Sequence, residues 1–162
     1  MPAGTTRRDE GKSGMKTTYR VLAYAIAAMV VIQAGAIGYG AWAQLNWIEK
    51  GNSLDNAALE SGAPGSAALI FHSFFGGAVL LVAILLLVIS FFAKIDRGVR
   101  WAVNVLIGTF VQIALGVLSH FTAVIGALHG AAALALFGTA MMAAMRVRRA
   151  APVEEAVPES VA

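Results

Sequence analysis

Few residues inside this chain can carry chemistry. His72, His120 and His129 are the only histidines, and none of the 162 residues is a cysteine. Thiolate metal centres, iron–sulfur clusters, disulfides and cysteine nucleophiles are therefore excluded. The histidines lie in stretches that lack Asp and Glu: His72 between Glu60 and Asp96, His120 and His129 between Asp96 and Glu154. An imidazole without a carboxylate partner has two main uses. It can ligate a metal through a neutral ring nitrogen, or it can hydrogen-bond within a packed interface. Gln33, Asn104 and Gln112 are the other strongly polar side chains embedded in apolar sequence.

The elements that hold these residues follow from composition. Apolar residues make up 59% of the chain and charged residues 13%, with a mean hydropathy of +0.74. A soluble domain carries about a quarter charged residues, so both an ordinary soluble enzyme and a disordered chain are excluded. No Asp, Glu, Lys or Arg occurs between Arg20 and Glu49, between Glu60 and Lys94, or between Arg100 and Arg146. About 20 apolar residues cross the hydrocarbon, so the first two gaps hold one helix each. A single helix through the third, at ~1.5 Å per residue, would be about twice as long as the bilayer core is thick. It must be two helices, with Ser119-His120-Phe121-Thr122 as the turn.

The sequence thus predicts an all-α, integral membrane four-helix up-down bundle. Its helices lie near 21–43, 67–93, 101–120 and 123–145, joined by an outer loop over 44–66. The bundle occupies 17–149, with disordered tails at 1–16 and 150–162. All but one of the 12 Lys and Arg residues precede span one, lie between spans two and three, or follow span four, the exception being Lys50. By the positive-inside rule both termini are cytoplasmic, in the cell membrane. The basic pI of 9.6 follows from this topology and implies no nucleic-acid partner. The first apolar stretch follows basic residues, as a secretory signal does. It is longer than a signal's apolar region and ends at Trp42 and Trp47, so it is expected to be retained.

Depth relates the polar residues to one another. His72 lies about five residues into span two and His129 about six into span four, ~7–9 Å from the outer ends at 1.5 Å per residue. In a sequential bundle these spans are diagonal, and bundle cores are where such folds hold cofactors. Two neutral imidazoles facing each other there are the ligand set of a b-type haem. Phe71, Phe74, Phe75, Gly76 and Gly77 surround His72, and Gly126, Gly130, Ala132 and Ala133 surround His129. Such aromatic and small residues suit a flat apolar slot, although glycines also make plain packing seams. Gln33 and Gln112 are secondary polar contacts or interhelical hydrogen bonds. His120, at the outer end of span three, is placed as a rim residue or propionate partner, and Asn104 is interfacial.

The stretch Phe110-Val111-Gln112-Ile113-Ala114-Leu115-Gly116-Val117, followed by Ala127-Leu128-His129-Gly130, resembles spans three and four of one half of a haem A synthase. His72 matches that family's other histidine. Small four-span actinobacterial membrane proteins share the same pattern of His and Gln–Gly. The resemblance covers about residues 21–146 and implies that His72 and His129 are the axial pair of one four-helix half. That family carries a glutamate three residues before its span-two histidine, where this chain has Leu69. The second half and the outer-loop cysteines are also missing, so the synthase activity is not carried over.

The expectation is a membrane haem b protein, bis-His ligated near the outer face, for electron transfer or haem handling in a respiratory or haem-biogenesis setting. It is more a carrier than an enzyme. Its partners would be the lipid bilayer and a membrane complex, or a second copy that restores an eight-helix arrangement. The alternative is a cofactor-free accessory or scaffold subunit in which the histidines only pack.

Overall fold

The computed structural model describes residues 7–149. Its elements are α1 (Arg7–Glu49), α2 (Asn56–Glu60), α3 (Ser66–Ala93), α4 (Gly98–Leu118) and α5 (Ala123–Met145), then a 3₁₀ turn at Arg146–Arg149. Four of the helices are long and apolar enough to cross a membrane. Helices suit such sequence because each satisfies its own backbone hydrogen bonds where no water is present to do so. Large apolar side chains such as Leu81, Phe91, Ile107 and Leu134 stand open on the outside, as a lipid-facing surface requires.

Sequential neighbours pack side by side, and α5 closes against α1. This leaves α1 opposite α4 and α3 opposite α5, the up-down arrangement. The buried core gathers toward the end that carries most of the basic residues. Tyr19, Ala23, Ile26 and Ala27 come from α1, and Val79, Ala83, Leu86 and Ala93 from α3. Ala102, Val105 and Thr109 come from α4, and Leu136, Ala140, Ala143 and Ala144 from α5. Their spacing of three and four residues keeps each set on one helical face.

One expectation is corrected. Residues 7–16, read from the sequence as part of a disordered tail, are the first turns of α1. Hydropathy marks the hydrocarbon and not the helix, and no proline interrupts the chain between Arg7 and Glu49. Beyond this stretch, Tyr19 is fully buried, and its hydroxyl donates to the Gly98 carbonyl at 3.0 Å. That bond ties the start of the apolar segment to the far side of the bundle. The rest of the two tails, 1–6 and 150–162, lies outside the described residues. At the other end α1 continues past residue 43 to Glu49, where Gly51 (φ +82) turns the chain.

The outer loop is ordered by caps. Asp55 accepts from the Ala58 N–H at 2.8 Å to start α2, and Gly62 (φ +81) follows its end. Gly65 (φ +87) then opens α3. It sits directly on Gly40 of α1, where a methyl group would lie 2.6 Å from Leu69 Cδ2 and 3.2 Å from the Gly65 carbonyl oxygen. The α1–α3 crossing is thus a backbone-to-backbone contact that only glycine permits.

Candidate functional site

In the half of the bundle away from the basic ends, Gln33, His72, Gln112 and His129 form two matching pairs. Gln33 of α1 donates its side-chain Nε2–H to the His72 carbonyl of α3 at 2.9 Å. His72 Nδ1 lies 3.3 Å from the Gln33 carbonyl. In the other hairpin Gln112 of α4 donates Nε2–H to the His129 carbonyl of α5 at 3.0 Å, and His129 Nδ1 lies 3.0 Å from the Gln112 carbonyl. Each pair is a two-bond clasp between antiparallel neighbours. The inter-residue separations are 39 and 17, because only the first hairpin carries the long outer loop.

A backbone carbonyl only accepts, so each contact is a hydrogen bond in the Nδ1–H form, which in a neutral ring leaves the lone pair on Nε2. The two rings meet across the bundle between the diagonal helices α3 and α5. Their centroids are 6.0 Å apart and their planes are inclined by 78°. Neither histidine and neither glutamine is fully buried, although all four face other helices. The packed core of the opposite half gives way here to a looser region.

Small residues shape the surroundings. A methyl group at Gly116 would come within 3.1 Å of His129 Cε1 and 3.4 Å of its Nδ1, so this glycine seats the ring against α4. At Gly76 the nearest atom to such a methyl would be Gln33 Nε2, at 3.9 Å. Phe71 and Phe75 stack beside His72 with ring centroids 4.7 Å apart. The Oε1 atoms of Gln33 and Gln112 are both buried and without a hydrogen-bond partner. An unpaired buried acceptor costs about 1–3 kcal/mol, and here it is tolerated at both matching positions.

His120 stands apart from this group. It is exposed in the turn after α4, with Nδ1 at 3.0 Å from the Val117 carbonyl, and no hydrogen bond joins it to either clasp. The pairing of each glutamine with a particular histidine was not read from the sequence. The signal was available: antiparallel helices bring Gln33 and His72 to one level, as they do Gln112 and His129.

Chemically, the two imidazoles bring nitrogen donors to one level of the bundle, their ring centroids 6.0 Å apart. Among the described residues no group of three or more His, Asp or Glu side chains is placed to share a metal ion. A bare zinc ion takes four ligands, so any metal at this pair must bring most of its own. Two imidazoles on facing helices are a donor set that an iron tetrapyrrole could take up, since haem iron is held by protein side chains such as histidine.

Fold and apolar surface together define a multi-pass helical membrane protein with an inward-facing histidine pair. No protein-family model matches the chain, and no curated protein or solved structure matches it either.

Proposed function

We propose that this chain is a membrane haem b protein in which His72 and His129 are the axial ligands, serving one-electron transfer or haem handling. The observation that carries the reading is the facing pair of imidazoles, 6.0 Å apart, each with Nδ1 against a carbonyl. Metal-bound histidines commonly donate their second ring nitrogen in this way, which raises the basicity of the ligating one.

Haem, when bound, would supply reversible one-electron chemistry, and His72 and His129 are the residues that would hold it. The chain's own residues hold and orient it. The clasps hold both rings by their Nδ1 atoms against the neighbouring helices, and Gly116 gives the His129 ring its seat. His120, exposed at the rim, is suited to a propionate. The absence of a carboxylate beside His72, with Leu69 one turn earlier, argues against proton-coupled oxidation of a substrate. The half-synthase resemblance supports haem without the synthase reaction. The setting is the cell membrane with both termini cytoplasmic, beside a respiratory or haem-biogenesis partner or a second copy.

Protein purified from cells with ample haem should show a Soret band and a reduced α-band. His72→Ala and His129→Ala should each abolish them, and His120→Ala should keep most of the absorbance. A colourless wild-type preparation that takes up no added haem would refute the reading and leave a cofactor-free accessory subunit.

A further inference from the structure

We propose that Gln33 and Gln112 are paired positioning residues, each setting the protonation site and aim of the one histidine it clasps. The purpose of this device rests on the haem reading, whereas its test does not.

The geometry repeats in both halves. In α1–α3 and in α4–α5 a carboxamide on the first helix reaches the main-chain carbonyl of a histidine on the second, at 2.9 and 3.0 Å. In return each histidine ring bonds the main-chain carbonyl of that same glutamine. Each carboxamide bond holds two helices at the level where the imidazole meets its acceptor. Free imidazole favours neither lone-pair direction strongly, and a ring that loses its Nδ1 acceptor can turn or shift its proton. The buried, unpartnered Oε1 of both glutamines supports the same conclusion. The amide is oriented by its N–H end alone, and packing interactions serve an apolar side chain better than a half-satisfied amide.

Interhelical hydrogen bonds as general glue would not need to repeat on the same pair of atoms in both hairpins. Here the two hairpins contribute one glutamine and one histidine each, so the two Nε2 atoms are made chemically alike. A ligand held between them would meet one imidazole from each hairpin.

The test uses the full chain, free of haem, with ¹⁵N-labelled histidine in detergent micelles. Ring nitrogen shifts distinguish the Nδ1–H from the Nε2–H tautomer. Wild type should show His72 and His129 as Nδ1–H. Gln33→Met should move His72 toward a tautomer mixture and leave His129 unchanged, and Gln112→Met should do the reverse. Should either methionine variant fail to fold, Gln33→Asn and Gln112→Asn, each one methylene short of its carbonyl, make the same comparison. Wild-type signals from the Nε2–H form, or tautomers that ignore both glutamines, would overturn the proposal. Haem titration then gives the functional consequence, a loss of affinity of about 10–100-fold in each variant, as for other residues that orient a ligand. A chain that binds no haem but shows the one-to-one tautomer pattern refutes the haem reading alone. A chain that binds haem while its tautomers ignore the glutamines refutes the positioning role alone.

Discussion

Two glycines near the histidines differ in what they do, although both lie one turn from a clasp residue. Gly116, four residues after Gln112, faces the His129 ring, and an added methyl would lie 3.1 Å from its Cε1. Gly76, four residues after His72, has nothing nearer than Gln33 Nε2 at 3.9 Å. Gly116→Ala should therefore push the His129 ring off its seat and lower bound haem per chain, read from the Soret absorbance of matched preparations. Gly76→Ala should leave that ratio near wild type, and equal losses in both variants would mean the ring is not seated as described. The ordinary van der Waals contact in one case and the close approach in the other make the pair a sharper probe than either alone.

At the scale of elements, the ends of the helices are fastened by different chemistry. The outer crossing of α1 and α3 depends on the Gly40–Gly65 contact. Gly40→Val should overpack it and destabilise the bundle by about 1–3 kcal/mol, seen as a lower thermal midpoint in detergent. Gly35, with no atom within 4 Å of a methyl there, should accept alanine without such a drop. At the opposite end the α3–α4 turn contains Lys94 (φ 49) and Arg97 (φ 54) in the left-handed region, a conformation unfavourable for side-chain-bearing residues. The buried Tyr19 hydroxyl braces this turn through Gly98. Tyr19→Phe should cost about 1 kcal/mol, the net worth of one such hydrogen bond, in the same unfolding measurement.

Over the whole molecule the two ends of the bundle are built differently. Small and branched side chains fill the half that contains Tyr19, Leu86 and Ala143, and the half that contains the histidines has few buried residues. On the haem reading, the tight half would hold the four helices in place while the looser half would take the ligand, as in other bundles that bind cofactors between facing helices. On the proposed orientation, with both termini cytoplasmic, the tight half faces the cytoplasm. Tags at the N- and C-terminus should then both be shielded from a membrane-impermeant reagent in intact cells and become reactive after lysis. Labelling of either tag in intact cells would contradict that orientation.

Depth and number were legible in the sequence because hydrocarbon excludes charge. The gaps flanked by Arg20, Glu49, Glu60, Lys94, Arg100 and Arg146 mark out four crossings, and a fixed rise per residue puts His72 level with His129. Rotation was not legible. Hydropathy scarcely changes as an apolar helix turns about its axis, so the inward aim of the imidazoles rested on their polarity alone, and level without rotation did not give the carbonyl each one meets. Tertiary packing decided that His72 and His129 face each other, and that each is clasped by its own glutamine. It also decided that Gly40 rests on Gly65. Each of these depends on where two backbones approach within bonding distance, and that distance is set by the neighbouring helices together and not by any single stretch of chain.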